Sequence, residues 1–340
     1  MAEAIEHSDH GPMTIDVEAT AAAIVAAQWA DGGIAREPGG LLDPWNHIEA
    51  AMGLDTVGRH AAATRAYQWL ARTQSSDGCW YVSYRGARPV ERVADGTATA
   101  YVAVGALHHY LCTDDDVFLR ELWPTVEAAL EFVLRLQRPT GEIPWRRQSS
   151  GQVGELALLT GNCAVYHAIR CAMDIAAILG DHHHPRWTRA ARLLRDAIVG
   201  RPELFVAKPH AMDWYYPVLA GVLDEDDARA RLDGGWHRFV APANGVRGTP
   251  DESWTTGGEA AELALTLAVL GDARRGAELL SGLHGLRHHD GSSWTGYDYE
   301  TGHFWPPERS TWTAGVTLLA AAALRGHRPT IRTFGRGTSR

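Results

Sequence analysis

Apolar and polar positions along the chain alternate between two helical patterns, one apolar on almost every side and one apolar along a single face. The stretch Trp254–Leu270, WTTGGEAAELALTLAVL, shows the first pattern, with Glu259 and Glu262 its only charges. A helix apolar all round is buried on every side, so this stretch belongs inside another layer of structure. Gly96–Cys112, Leu156–Leu179, Asp213–Leu223 and Ser310–Leu324 read the same way. Between them lie stretches with charges available to face water: Val57–Thr73, Asp116–Leu136, Pro185–Val199, Glu225–Trp236 and Asp272–Gly282. Two further helices precede these. Thr14 is a plausible N-cap for Ile15–Ala30, which Asp31-Gly32-Gly33 ends. Asp43-Pro44 opens the next, with the aspartate at the N-cap and the proline at the first helical position.

The pattern therefore predicts about twelve helices and no convincing strand. Each amphipathic helix can shield an apolar one, and six such hairpins close into an (α/α)6 toroid with an inner and an outer ring. An open superhelix of helix pairs is the competing arrangement, but it needs polar capping units, and neither terminal helix is notably polar. The expected layout is a loose tail over residues 1–13, a single toroid over 14–325 and a basic, disordered tail over 326–340. Loops entering the inner helices are long and rich in Trp, Tyr, Gly and Pro: Gly32–Leu42, Gln74–Asp95, Gln137–Glu155, Phe239–Trp254 and Gly285–Arg309. Loops leaving them are short, as at Gly53–Thr56 and Gly271–Asp272. The long loops should gather at one end, over the N-termini of the inner helices, and carry the binding site there.

Composition narrows the function classes. With 340 residues, 45% hydrophobic and 21% charged, the chain can bury a large core. A net charge of −9 argues against a nucleic-acid surface or an anionic membrane. Lys208 is the one lysine. The four cysteines, Cys79, Cys112, Cys163 and Cys171, form no C-x-x-C pair. No basic start followed by an apolar region, and no uninterrupted apolar run of membrane-spanning length, is present, which points to a cytoplasmic protein.

Several conspicuous motifs have plain readings. Asp114-Asp115-Asp116 stands at the start of an outer helix, where Thr113 or Asp114 would cap it. His182-His183-His184 are adjacent in a loop, and three neighbouring histidines do not easily converge on one ion. His108-His109 end a helix with no acidic partner at useful spacing. No phosphate loop, dinucleotide fingerprint or nucleophile elbow occurs. Neither a metal nor a cofactor is expected.

Acids and aromatics remain. At or before the inner-helix N-termini stand Asp43, Asp95, Glu155, Asp213, Glu259 and Glu308, and most of the thirteen tryptophans fall at the same end. Aromatic faces stack on sugar C–H faces, carboxylates bind hydroxyls, and two carboxylates across a sugar suffice for glycoside hydrolysis. Each acid also has a structural reading: Thr256-Gly-Gly-Glu259 matches a capping box, and Asp43 an N-cap.

Two resemblances bear on this. Gln74-Ser-Ser-Asp-Gly78-Cys-Trp80 and Gln137-Arg-Pro-Thr-Gly141, with Trp145 nearby, resemble the structural Gln…Gly…Trp repeat of squalene and hopene cyclases and protein prenyltransferase β-subunits. That supports a toroid and leaves a terpenoid enzyme as one alternative, with a non-catalytic carbohydrate- or lipid-binding toroid as another. More narrowly, LLDPWNHIEAAMGL, MDWYYPVLAGVL and GGEAAELALTLA resemble an actinobacterial group, often labelled prenyltransferase-like, that includes endo-mannosidases of methylmannose polysaccharide, an α-1,4-linked polymer. The resemblance implies an inverting hydrolase with one catalytic acid before inner helix 1 and another on inner helix 5. The matching positions are Asp43 as base and Glu259 as acid, with the roles reversible and Glu49 and Glu262 as fallbacks. Expected substrate contacts are Trp45, His47, Asp95, Asp213, Trp214, Tyr215, Trp254, Tyr299, Trp305, Glu308 and Trp312. The expected partner is an oligo- or polysaccharide, with the oligomeric state left open.

Overall fold

A computed structural model of the chain describes residues 15–181, 184–241 and 245–335. Thr14, His182 and His183, the expected loose N-terminal tail and the last residues of the expected C-terminal tail lie outside them.

Six apolar helices form a closed inner ring: α2 (Pro44–Asp55), α4 (Gly96–Thr113), α6 (Leu159–Ile178), α8 (Ala211–Leu219), α10 (Gly257–Val269) and α12 (Thr311–Leu324). Each packs on the next, and α12 packs back on α2. That closure decides for the (α/α)6 toroid over the open superhelix. The outer helices are α1 (Val17–Ala26), α3 (His60–Thr73), α5 (Asp116–Arg135), α7 (Pro185–Gly200), α9 (Glu225–Phe239) and α11 (Ala273–Gly282). The two patterns in the sequence are these two rings. On α10, all residues from Gly257 to Leu267 are buried, whereas on α11 only Gly276, Leu279 and Leu280 are.

The ring closes where glycines let backbones touch. A methyl group on Gly53 of α2 would lie 2.7 Å from the Cα of Gly315 on α12, and one on Gly315 would lie 2.8 Å from the Cα of Ala50. The outer ring is tied by a repeated latch. Gln74 Nε2 donates to the carbonyls of Gly78 and Thr125, and Gln137 Nε2 to those of Gly141 and Ala190. Gln28 makes the same pair of bonds to Gly32 and Ala62, a third copy that the sequence reading missed. Each latch glycine has positive φ (99°, 96° and 108° at Gly32, Gly78 and Gly141). Each also abuts a carbonyl of the next outer helix, at Arg65, Ala128 and Leu193 respectively, so a side chain there would be both strained and blocked. Gly291, with φ of 87°, presses in the same way on Ala19 of α1.

Several expectations are corrected. Asp16, not Thr14, caps α1, which ends at Ala26. Asp115, not Thr113 or Asp114, caps α5, accepting from Val117 and Phe118, while Asp114 ends α4 in the left-handed region. α8 begins at Ala211, which puts Asp213 in its first turn. Strands do occur. β1 (Tyr81–Arg85), β2 (Arg88–Asp95) and β3 (Arg146–Arg147) form one antiparallel sheet. β4 (Val240–Ala241), β5 (Gly245–Arg247), β6 (Trp254–Thr256), β7 (Gly296–Asp298) and β8 (His303–Phe304) form another in that order. Most are two or three residues long, too short for an alternating pattern to show. A thirteenth helix, α13 (Arg328–Phe334), occupies the expected disordered tail. It packs on α4, α10 and α12, burying Thr330, Thr333 and Phe334 at the end of the ring away from the long loops.

Candidate active site

The acids sit where extended chain turns into an inner helix. Leu42 exchanges backbone hydrogen bonds with Tyr84 of β1, and the next residue, Asp43, caps α2 by accepting from Asn46 at 2.9 Å. Asp95 ends β2 and caps α4 through Ala98 at 3.0 Å. β6 ends at Thr256, which caps α10, and Glu259 follows three residues on. Each carboxylate is thus placed by extended, hydrogen-bonded chain on one side and a helix on the other.

Glu259 is 2% exposed. Thr256 Oγ1 donates to its Oε2 at 2.6 Å and accepts from its backbone N–H at 3.3 Å. Its Oε1 has no hydrogen-bond partner among the described residues, although His210 Nδ1 stands 3.3 Å away, out of line for a bond. That nitrogen already accepts from the Met212 N–H at 3.4 Å, and burial lowers the pKa of His210, which works against a charged ring beside the carboxylate. Burial raises Glu259 to about 7, against the opposing pull of the Thr256 hydrogen bond and the charge of Lys208. Glu259 is therefore a carboxyl that is substantially protonated near neutral pH, with one oxygen uncommitted.

Glu262, one turn deeper and 1% exposed, has both oxygens occupied. Tyr215 donates its hydroxyl to Oε2, and Trp312 Nε1 donates to Oε1 at 3.3 Å. Burial, with the charge of Glu259 adding to it, raises its pKa. Glu49 on α2 is its counterpart, accepting from Tyr101 at 3.0 Å. Burial first, and the charge of Glu262 second, push Glu49 well up. Glu49 also feels Asp43, and Asp43 acts on Asp95, which burial lifts to about 6. A line of mutually sensed carboxyls thus runs from the mouth at Asp95 and Asp43, through Glu49 and Glu262 in the middle, to Glu259.

Asp43 is more open than Glu259, its side chain 24% exposed, with Arg36 Nε 3.9 Å from Oδ2. Burial raises its pKa and the arginine opposes that rise. Arg36 Nη2 also donates to Glu308 Oε1 at 2.7 Å, which brings Glu308 to the same rim. Trp45 stacks on Tyr101 at 4.2 Å with planes 7° apart. Trp254 and Glu259 flank one glycine: a methyl group on Gly248 would lie 3.0 Å from the Trp254 ring and 3.8 Å from Glu259 Oε2. Trp254 Nε1 donates to the Trp305 carbonyl at 2.5 Å, and Trp305 itself is 60% exposed. Trp312 lies against Gly258, where a methyl group would come within 2.5 Å of its ring. Tyr299 is exposed beside Tyr297, 4.8 Å between ring centroids.

Other expected contacts are placed elsewhere. Trp214 is buried between α8 and α9, stacked on Phe239 at 5.1 Å and bonded to the Arg231 carbonyl at 2.7 Å. His47 is fully buried; it accepts from the Ile34 N–H at 2.9 Å and donates to the Ala66 carbonyl at 3.0 Å. Asp213 accepts from the backbone and hydroxyl of Thr160 in the first turn of α6 at 3.1 and 2.6 Å, with Lys208 Nζ 3.8 Å off. Tyr215 is wholly buried and acts through Glu262. His210 and Lys208, in the loop before α8, bear on Glu259 and were not anticipated. The solitary lysine was the available signal. His109 does have an acidic partner, Asp55 of α2 at 2.9 Å, 54 residues away in sequence.

A scan against protein-family models finds no match. MMP endo-(1,4)-3-O-methyl-alpha-D-mannosidase of Mycolicibacterium hassiacum is 44% identical over 306 residues, covering 90% of this chain and 85% of that protein. Among solved structures, a wild-type glycosidase superposes with a TM-score of 0.73 at 14% identity, covering 91% of this chain and 96% of its own. D-mannose isomerase gives 0.70 at 14% identity, over 91% and 96% of the two chains. Mannosylglycerate hydrolase of Thermus thermophilus gives 0.64 at 14% identity, over 89% and 98%. At that identity the structural likenesses establish the toroid alone, and a hydrolase and an isomerase share it.

Proposed function

The chain belongs to the family of the MMP endo-(1,4)-3-O-methyl-alpha-D-mannosidase, and from that premise we propose that it is a glycoside hydrolase cleaving an α-linked mannoside polymer of the methylmannose type. The observation that carries the catalytic part is Glu259: an enclosed carboxyl raised to about 7, with one oxygen uncommitted and a tryptophan beside it. A general acid needs a proton at working pH and an oxygen not already bonded; burial supports the first for Glu259, and its uncommitted Oε1 supports the second. Glu262 has neither oxygen free, which favours Glu259 over it.

Asp43 takes the role of base. It is more open than Glu259, Arg36 favours its ionised form, and a backbone N–H fixes its orientation. A base that activates water on the face opposite the acid gives inversion of the anomeric centre. Tyr101, Tyr215 and Trp312 hold Glu49 and Glu262 in the floor of the site. Trp45, Trp254, Trp305, Tyr299 and Trp312 would supply stacking faces for sugar rings, with Asp95 and Glu308 on the rim for hydroxyls. The substrate is a polysaccharide, and no helix among the described residues is long and apolar enough to cross a membrane.

The test is a panel of α-mannosides, including 3-O-methylated α-1,4-oligomers, alongside α-glucosides and prenyl diphosphates. The anomer first released is followed by NMR, with Glu259→Gln and Asp43→Asn as controls. Release of the inverted anomer from the methylated mannosides, lost in both variants, is expected. Full activity in both variants would overturn the assignment of the acids. Turnover of prenyl diphosphates alone would favour the terpenoid alternative.

A further inference from the structure

At the end of the ring away from the long loops lies a cluster that sugar hydrolysis does not use. Ligand atoms of His108, Cys112 and His327 all lie within 4.8 Å of one another. His108 and Cys112 are four residues apart on α4 and so share a face, while His327 is the residue immediately before α13. Cys112 Sγ stands 3.8 Å from Nδ1 and 4.0 Å from Nε2 of His108. With bonds of about 2.0 Å to nitrogen and ~2.3 Å to sulfur, a tetrahedral zinc ion holds such ligands roughly 3.5 Å apart. The Cys112–His108 pair is therefore within a few tenths of an ångström of coordination spacing, and His327 would close in from within 4.8 Å as the ion binds.

We propose that His108, Cys112 and His327 bind a divalent ion of the zinc class, which fastens α13 to α4. Two imidazoles and a thiolate are the donor set that borderline-soft ions prefer. Thr330 Oγ1, 3.0 Å from His108 Nε2 and 2.9 Å from His327 Nδ1, now bridges the two rings by hydrogen bonds. The ion would replace that bridge, with the Thr330 hydroxyl or water completing the tetrahedron. Binding then releases one proton, from the Cys112 thiol to solvent. The nearby carboxylate of Asp55, held by His109 at 2.9 Å and His60 at 3.0 Å, adds negative charge behind the site. Arg325 opposes it from the loop before His327. Cys112 and His327 are both partly exposed, so an ion can enter without unfolding.

Cobalt(II) is the probe, added to the full-length protein after treatment with a chelator. Uptake of one equivalent, with a thiolate-to-cobalt charge-transfer band that zinc abolishes, is expected. Zinc should also raise Tm. Because His108 is fully enclosed and its replacement endangers folding, the variants are Cys112→Ser and His327→Ala. Each should lose the zinc-dependent rise in Tm and weaken binding at least tenfold, and Cys112→Ser should also lose the band. Absence of the band in the wild type, or its survival in Cys112→Ser, would place no ion at Cys112 and overturn the proposal. Binding that leaves Tm unchanged would overturn the fastening role. None of these readouts depends on sugar hydrolysis, so their failure is distinct from failure of the glycosidase reading.

Discussion

Thr256 Oγ1 donates to Glu259 Oε2 at 2.6 Å while accepting from the Glu259 backbone N–H at 3.3 Å. One hydroxyl thus both caps α10 and steadies the charged form of the carboxyl. Its removal should raise the pKa of Glu259 above about 7 and carry the alkaline limb of kcat/KM to higher pH. Thr256→Val is expected to move that limb up by roughly one unit, since a hydrogen bond to a charged group is worth about 1.5–3 kcal/mol and one unit is about 1.4. It should also lose about 1 kcal/mol of stability with the cap. A pH–rate profile and a denaturant titration read the two effects separately; a limb that stays in place would show that Glu259 does not set it.

Glu259→Gln should lower kcat by about 10²–10⁴-fold on natural glycosides, the usual worth of general acid–base catalysis. On a substrate with a nitrophenol leaving group, which needs little protonation, its loss should be much smaller. Asp43→Asn should be equally slow on both. The reverse ranking would exchange the two roles.

The buried carboxyls also set how stability varies with pH. Glu49, Glu259 and Glu262 all have raised values, so between their ordinary range near 4.5 and about 7 the folded chain holds protons that the unfolded chain has released. Stability from these groups is full at the acid end of that window and falls as pH rises through it. Glu262→Gln keeps an acceptor for Tyr215 and removes one ionising group. It should flatten the decline, leaving the variant as stable as wild type or more so at pH 8. Urea titrations at pH 5 and pH 8 compare the slopes.

Gly315 and Gly234 offer a matched test of the ring seam, the first facing α2 and the second facing open space. Gly315→Ala forces a methyl group to 2.8 Å from the Ala50 Cα and should cost about 1–3 kcal/mol, the usual penalty of overpacking. Gly234→Ala, inside α9 with nothing within 4 Å, should instead stabilise by up to about 1 kcal/mol through helix propensity. Equal effects at the two sites would deny the close approach of α2 and α12.

Helix α13 should contribute to stability rather than merely trail from the body. Phe334, 3% exposed, rings with His167 at 5.3 Å, and His167 Nε2 donates to the Thr333 carbonyl at 2.8 Å. Phe334→Ala is expected to cost about 3–5 kcal/mol, as truncation of an enclosed phenylalanine does. A change near zero would mean that the helix is dispensable.

The rings were legible because burial on all sides and burial on one side leave different patterns in sequence, as Leu263–Leu267 and Arg274–Leu280 show. The strands were not, because pairs such as Trp254–Thr256 with Gly296–Asp298 depend on partners about forty residues apart and are three residues long. α13 escaped because RPTIRTF offers little apolar pattern and buries threonines. Asp43 and Glu259 could be singled out by their place at helix mouths, but which of the two glutamates on α10 keeps a free oxygen could not. That depends on Tyr215 and Trp312 reaching Glu262 from two other helices. In the same way, Asp55 meets His109 across the ring, and no spacing along the chain announces it.

The latches have a mechanical consequence. Gln28, Gln74 and Gln137 tie α1 to α3, α3 to α5 and α5 to α7, and Gly291 braces α11 against α1. Among the described residues no glutamine latch reaches α9, which is held instead by Arg231 donating to the Asp213 and Trp214 carbonyls and by Arg275 of α11 on Asp233. It buries only Ala228, Leu232 and Phe239 and borders a cavity of about 500 Å³ beside α11. The latched arc from α1 to α7 is therefore expected to be stiffer than α9, which is held by arginine contacts and three buried side chains. Amides of α9 should exchange through local opening, while those of α3 and α5 should wait for the whole ring to unfold.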